Sequence, residues 1–247
     1  DLNGLNVGSY DVNTRGVENL IGALNELSTL DFVVFASSML VCRLGYKPSS
    51  EADYCPNTPY GKSKVIGEEL IRSSNINFPW VIVRPTSIWG PWFATPYRDF
   101  FDVIRKGLYV HPKGIRVRRS YGFIYNSIFQ LSRISDRLND ELVGKTIYLA
   151  DYHPIELKSW SENIQKNLNI RPIREVPIQV FKIAAKLGDI LKNIGYKNPL
   201  MSTFRLNNML TPMEHNTTPL KDYCGDVPYS IDEGVRITCE WLQTHKK

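Results

Sequence analysis

The chain has 247 residues, 43% hydrophobic and 22% charged, a make-up that excludes the disordered and collagen-like classes and leaves a folded globular protein. Its 30 Lys and Arg against 25 Asp and Glu give a net charge of +5, too mild to indicate nucleic acid as a partner. No apolar run nears the ~18 residues that span a bilayer, and the opening Asp-Leu-Asn-Gly lacks the pattern of a signal peptide, so no membrane partner is expected.

From Asn13 to Leu27 the apolar residues Val17, Leu20, Ile21, Leu24 and Leu27 recur at helical spacing. Phe32 to Ala36 is a short apolar run suited to a strand buried on both faces. A Ser-, Pro- and Gly-containing loop leads to Pro59. Tyr60 to Ser73 then reads as a helix with Val65, Ile66, Leu70 and Ile71 inward and Glu68, Glu69 and Arg72 outward. Trp80 to Arg84 is a second buried strand, ended by Pro85. After a loop marked by Gly90, Pro91 and Pro96 come helices at Arg98–Lys106 and Tyr125–Leu138, the latter with Ile128, Leu131, Ile134 and Leu138 on one stripe. A strand at Thr146–Ala150 follows. Beyond Asp151 the pattern is helical at Glu156–Leu168, Val180–Ile194 and from Ile231, where Ser230 and Glu233 make a capping box. Helix alternating with buried strand is the rhythm of an α/β doubly wound parallel sheet.

The four cysteines (Cys42, Cys55, Cys224, Cys239) and four histidines show neither a disulfide framework nor metal-ligand spacing, which points to a reduced, cytoplasmic setting without a metal. Two Tyr-x-x-x-Lys spacings occur, Tyr60/Lys64 and Tyr109/Lys113. Pro112 interrupts the second, whereas Tyr60 and Lys64 open a helix and share a face one turn apart. A nearby ammonium would favour the phenolate and suit Tyr60 to proton transfer. Ser38, at the end of a buried strand, could offer a hydroxyl to the same reacting oxygen. On spacing alone, a helix-start aromatic, a solvated lysine and a loop serine account for the same three residues.

Taken together, Phe35-Ala-Ser-Ser-Met39, Pro59-Tyr-Gly-Lys-Ser-Lys64 and Val83-Arg-Pro-Thr-Ser-Ile-Trp-Gly-Pro91 resemble the extended short-chain dehydrogenase/reductases, and within them the NAD-dependent epimerase/dehydratase family acting on nucleotide sugars. Asn13-Thr-Arg-Gly16 with Val17-Glu-Asn-Leu20, Arg119-Ser-Tyr-Gly-Phe-Ile-Tyr-Asn126 and Asp222-Tyr-Cys-Gly225 with Pro228 are similar to further motifs of that family. The resemblance implies a Rossmann-like doubly wound sheet with a smaller, mostly helical C-terminal substrate lobe. Residues 1–90 would be the remaining dinucleotide-binding part, with 120–150 returning to it, and 91–119 with 151–247 would form the lobe. The family's Gly-x-x-Gly-x-x-Gly turn for the cofactor pyrophosphate is absent from this sequence. By resemblance, roughly 80 residues of strand–helix units would stand upstream of Asp1.

The same resemblance implies Tyr60 as catalytic acid/base and Lys64 as the residue holding the cofactor ribose and lowering the Tyr60 pKa. It implies Ser38 as the hydroxyl orienting the sugar oxygen, with Cys42 in the family's tyrosine position. Pro85 and Ile88 would line the nicotinamide. Ser87 stands where an Asn usually contacts substrate, and Arg119 matches the Arg that pairs with the nucleotide diphosphate. The cofactor would be NAD or NADP, the substrate a nucleotide-diphosphate sugar, and the assembly a homodimer through helices 13–27 and 60–73. Met39 and Leu40, which follow Ser38, carry no titratable group, so 4,6-dehydration is disfavoured. Epimerase is the first expectation; a 4-ketoreductase or dehydrogenase, and a non-catalytic nucleotide-sugar-binding homologue, are the alternatives. Between residues 98 and 119, seven cations (Arg98, Arg105, Lys106, Lys113, Arg116, Arg118, Arg119) face Asp99 and Asp102, a local +5 equal to the chain's whole excess and of the right sign for a dianionic substrate.

Overall fold

The computed structural model describes residues 6–95, 97–136, 140–196, 199 and 201–245. Pro96 and Leu138 of the sequence reading lie outside these. After a 3-10 segment at Val7–Asn13 the elements run α1 (Arg15–Asn25), β1 (Val33–Ala36), α2 (Pro59–Ser73), β2 (Trp80–Pro85), β3 (Ser87–Trp89) and α3 (Tyr97–Arg105). Next come β4 (Val110–Pro112), β5 (Arg118–Arg119), β6 (Tyr121–Phe123), α4 (Ile124–Asp136), β7 (Thr146–Leu149) and β8 (Ile155–Glu156). The chain finishes with α5 (Leu157–Asn167), β9 (Arg174–Val176), α6 (Ile178–Asn193), α7 (Thr203–Leu210), α8 (Thr218–Cys224) and α9 (Ile231–Thr244). Every helix and strand of the sequence reading has its counterpart within a few residues. The short strands outside the central sheet and the helices α7 and α8 were not foreseen, being too short to show a period.

The chain divides into two units. The first comprises the residues up to Ile88, Gly122–Tyr152 and His215–Pro228. Its centre is a parallel sheet in the order β1-β2-β7, with Phe35 opposite Ile82 and Val83 opposite Ile147. One face packs Phe35 and Ile82 against Ile21 of α1 and Ile71 of α2. The other packs Val81, Val83, Ile147 and Leu149 against Ile134 of α4 and Leu220, Tyr223 and Cys224 of α8. Helices on both faces make this a doubly wound unit. The division differs from the sequence reading at His215–Pro228, there placed in the lobe; α8 delivers its buried apolar side chains to the sheet instead.

Three expected faces are also corrected. Val33 and Val34 are half-buried, because β1 has β2 as its one strand partner among the described residues. Glu68, expected outward, is 1% exposed and forms a bidentate ion pair with Arg84 of β2, itself 1% exposed, whereas Ile66 is exposed. The pair is closed by Arg84 Nε to Glu68 Oε1 at 2.8 Å and Nη2 to Oε2 at 2.7 Å. Ser37 Oγ donates to Oε1 at 2.5 Å and the Tyr54 hydroxyl to Oε2 at 3.0 Å. Arg84 Nη2 also donates to the Glu51 carbonyl at 2.6 Å. Burial opposes the Arg84 charge, yet the Glu68 carboxylate outweighs it and holds its pKa above the ordinary value. On α4, Ile134 is buried and Leu131 half-buried, while Ile128 is exposed.

The second unit comprises Trp89–Tyr121, His153–Glu214 and the residues from Tyr229. An aromatic cluster fills its centre: Trp89 stacks on Phe101 at 6.0 Å between ring centroids and meets Trp160 edge-on at 5.2 Å, and Phe100 stacks on Trp160 at 4.9 Å. β4 pairs with β9 in parallel and β5 with β8 antiparallel. The capping box of α9 is formed as read, with Glu233 N donating to Ser230 Oγ at 3.3 Å and Ser230 N to Glu233 Oε2 at 2.8 Å.

Removing one partner of the Glu68–Arg84 pair leaves a buried charge without its counter-ion. Glu68→Ala should cost about 3–5 kcal/mol in urea unfolding. The double change Glu68→Leu with Arg84→Met should recover most of that loss. Equal losses in the single and double variants would mean the pair is not what holds these elements.

Candidate active site

Tyr60 is presented by the first turn of α2. That helix starts where it does because Thr58 Oγ1 accepts the Gly61 N–H at 3.0 Å and Pro59 occupies the first turn, where its missing N–H costs nothing. Gly61 is required by what lies against it: a Cβ there would fall inside the contact radius of the Leu40 carbonyl oxygen. The close approach of α2 to the Met39–Val41 3-10 turn is what brings Tyr60 to Ser38. Ser38 caps that turn, accepting the Leu40 N–H at 3.1 Å, and its hydroxyl is near enough to the Tyr60 phenol to act on its pKa.

Lys64 stands one turn on. Its Nζ donates to the Ala36 carbonyl at 3.1 Å and lies 5.9 Å from the Tyr60 ring centroid. Burial raises the Tyr60 pKa, the Ser38 hydroxyl opposes the rise, and Tyr10, edge-on at 5.6 Å, adds to it. Burial likewise lowers the Lys64 pKa, against the pull of Glu68. The expected lowering of Tyr60 by Lys64 is not what this arrangement gives: the ammonium is directed to a backbone carbonyl, and desolvation governs the phenol.

Ser37 N donates to the Val83 carbonyl at 2.8 Å, so the carboxyl ends of β1 and β2 lie side by side, with Ser37 and Ser38 on one and Pro85 on the other. Pro85 and Ile88 are half-buried and Ser87 is buried. Between them Thr86 Oγ1 donates to the Leu149 carbonyl at 3.1 Å, tying this turn to β7. A Cβ on Gly122 would lie 2.7 Å from Ile88 Cδ1, so glycine there leaves room for that side chain. Lys64 also borders a cavity of about 210 Å3 lined by Asn13, Val17, Phe35, Ala36 and Gly67.

Arg119, in the second unit, is used differently from expectation. Its Nε and Nη2 donate to the Thr211 carbonyl at 3.2 and 3.1 Å, Nη2 also reaches the Asn208 carbonyl, and Nη1 donates to the Tyr121 hydroxyl at 3.2 Å. The guanidinium caps the carboxyl end of α7. The surrounding cations are also partly matched: Arg98 and Arg105 both pair with Asp102, at 3.3 and 2.9 Å, and Arg118 with Glu214 at 3.9 Å.

Three participants escaped the sequence reading. Tyr10 had no motif. Glu68 looked like a solvated helix charge; the pairing arginine, inside an otherwise apolar strand, was the available signal. The third is Asp151, buried just after β7, whose Oδ2 accepts the Phe123 N–H at 3.0 Å and Oδ1 the Asn126 side-chain amide at 2.9 Å. Burial pushes its pKa up to about 6 against these hydrogen bonds.

With this geometry in view, the comparisons are specific. The model of the NAD dependent epimerase/dehydratase family matches residues 5–124. The match spans just under half of the chain, and over that stretch the chain is similar to this family. A curated relative, N-acetyl-alpha-D-glucosaminyl-diphospho-ditrans,octacis-undecaprenol 4-epimerase of Escherichia coli O157:H7, is 23% identical over 245 residues, 96% of this chain and 73% of the relative. The crystal structure of UDP-glucuronic acid 4-epimerase from Bacillus cereus in complex with NAD superposes with a TM-score of 0.68 at 16% identity, covering 99% of this chain and 72% of that one. RMD from Pseudomonas aeruginosa, complexed with NADPH, gives a TM-score of 0.66 at 15% identity over 95% of this chain and 74% of that one. The fold is the Rossmann-like α/β fold of these enzymes.

Two outcomes follow from the packing. Gly61→Ala should push α2 off the 39–41 turn, costing about 1–3 kcal/mol in thermal or urea unfolding; an unchanged midpoint would contradict the close approach. Asp151 binds its proton more tightly folded than unfolded, so its contribution to stability falls as pH rises from its ordinary carboxyl range through about 6. The stability of the wild type relative to Asp151→Asn should therefore decline between about pH 4 and 7, by up to about 3 kcal/mol, in urea titrations across that range.

Proposed function

We propose that the chain carries the proton-transfer half of an NAD(P)-dependent epimerase that acts at a hydroxyl-bearing carbon of a diphosphate-linked sugar. The observation that supports this most directly is Tyr60 held beside Ser38, with Lys64 one turn along the same helix and 5.9 Å from its ring. The residues suit the ribose and nicotinamide side of the cofactor: Lys64 keeps two ammonium hydrogens beyond its Ala36 bond and borders a cavity, and Pro85 and Ile88 offer apolar surface at the strand end. NAD or NADP, when bound, supplies the hydride acceptor and donor.

Tyr60 takes the proton of the sugar hydroxyl when that carbon is oxidised and returns it when the carbon is reduced, while Ser38 holds the sugar oxygen beside the phenol. Because burial keeps the phenol protonated through neutral pH, Tyr60 is set as a donor, and accepting a proton requires a nearby positive charge. Lys64 is the residue of this chain placed to provide part of it. Met39 and Leu40, beside Ser38, offer no acid or base for dehydration. Arg119 is assigned to the diphosphate; a phosphate oxygen there competes with the α7 carbonyls, so Arg119→Ala should lower stability as well as substrate binding. In the homodimer of the same reading, exposed Leu20 of α1 and Ile66 of α2 belong to the interface.

A second reading of the substrate comes from the Escherichia coli relative, whose sugar is carried on a polyprenol diphosphate instead of a nucleotide. Both substrates share the diphosphate and the sugar. Parallel assays with the nucleotide-linked and the undecaprenol-linked N-acetylglucosamine distinguish them.

Tyr60→Phe should lower turnover by about 10²-fold or more while substrate binding stays within a few-fold of wild type; full turnover in that variant would overturn the mechanism. The oxidising direction should gain rate as pH rises and the reducing direction as it falls. Lys64→Met should move the oxidising limb to higher pH. Turnover with a catalytic amount of NAD identifies an epimerase, whereas consumption of one NAD(P)H per product identifies the ketoreductase.

A further inference from the structure

The outer face of α6 is a continuous apolar surface with nothing packed on it among the described residues. At about 100° per residue, Val180, Ile183, Leu187, Ile190, Leu191 and Ile194 fall on one side of the helix. Each is between 42% and 74% exposed. The opposite side is fixed inward: Phe181 and Ala185 are buried against Leu206 of α7. A Cβ on Gly188 would fall inside the contact radius of the Met201 carbonyl oxygen, so the helix rests directly on backbone there. With its inner face so closely seated, α6 cannot rotate to hide the stripe. An exposed apolar face of this extent marks an interaction surface.

Charge selects the occupant. Lys182 and Lys186 border the stripe on one flank, and Lys192 is exposed in the last turn. The one acidic residue of the helix, Asp189, accepts the Thr203 N–H at 3.1 Å at the start of α7, and these bonds hold its pKa below the usual range. From the neighbouring elements, Arg205 of α7 adds a further cation, and Glu175 of β9 is engaged by Lys158 at 2.6 Å. A second copy of this helix would bring the same three lysines against its one carboxylate, Asp189, which is already bonded to Thr203, so like charges would outnumber opposite ones. A surface with an apolar interior and anionic headgroups satisfies both halves of the face at once. No helix of the described residues is long and apolar enough to cross a membrane, so the fit is to a helix lying in the interface plane.

We infer that α6 docks on the surface of an anionic lipid bilayer, its isoleucine and leucine stripe entering the headgroup–acyl boundary and Lys182 and Lys186 meeting the lipid phosphates. This goes beyond the proposed reaction and is independent of it. Docking at a bilayer would hold the protein where a lipid-linked sugar is found, and it would leave a nucleotide-linked substrate equally accessible.

The test is cosedimentation of the full chain with vesicles of phosphatidylcholine alone or mixed with phosphatidylglycerol, which needs no catalytic activity. The wild type should bind the anionic vesicles roughly 30-fold more tightly than the neutral ones at low salt, the preference falling as salt rises. Ile183→Glu with Leu187→Glu should abolish sedimentation with an unchanged thermal midpoint, both positions being exposed. Lys182→Glu with Lys186→Glu should remove the preference for phosphatidylglycerol. Failure to sediment with either vesicle would overturn the inference, as would binding that survives the Ile183→Glu, Leu187→Glu change. A concentration-dependent dimer that this change dissociates, without vesicle binding, would assign the face to a second copy and reject the bilayer.

Discussion

A buried arginine–carboxylate pair holds the elements of the candidate site in register. Stripping water from both Arg84 and Glu68 costs several kcal/mol per ion, and the structure offsets this by saturating the carboxylate: each Glu68 oxygen accepts two hydrogen bonds. Those bonds join four parts of the chain. Arg84 belongs to β2, Glu68 to α2, Ser37 to the end of β1 and Tyr54 to the loop between β1 and α2. The pair thus fixes the strand end that carries Ser38 relative to the helix that carries Tyr60 and Lys64. An apolar contact could supply comparable energy, but its lack of direction would let α2 slide along the sheet.

The candidate site is built on the consequences of burial. Desolvation raises the pKa of the phenol and lowers that of the ammonium, so the acid–base balance of Tyr60 waits on whatever charge is brought to it. Arg119, by contrast, is already committed to the end of a helix, and Arg118 to Glu214.

Much of the architecture was legible because the period of apolar residues survives in long elements. The strands at 33–36, 80–85 and 146–149 and the helices α1, α2, α4, α5, α6 and α9 all announce themselves. The Ser38, Tyr60 and Lys64 positions were legible through linked motifs; their electrostatics were not. The direction of the Lys64 ammonium depends on a backbone carbonyl contributed by β1, and that of Arg119 on carbonyls some ninety residues away. Glu68 was misread because helical period places a carboxylate on a face without saying whether a counter-ion waits across the packing. The α6 helix was read as a helix without a face; the packing shows that its apolar side is the one facing out.

The chain's path through its two units has a further effect. Each unit is assembled from three separate stretches, and the polypeptide passes between them five times, at residues 88/89, 121/122, 152/153, 214/215 and 228/229. No single cut yields a fragment with a whole core: residues up to Ile88 would present β1 and β2 without β7 or the α8 side chains that cover them. Pairing of β2 with β7 must also await closure of a long loop that includes a piece of the other unit, which places this sheet among the slower-forming topologies. Neither unit can therefore complete its core before stretches of the other have been synthesised.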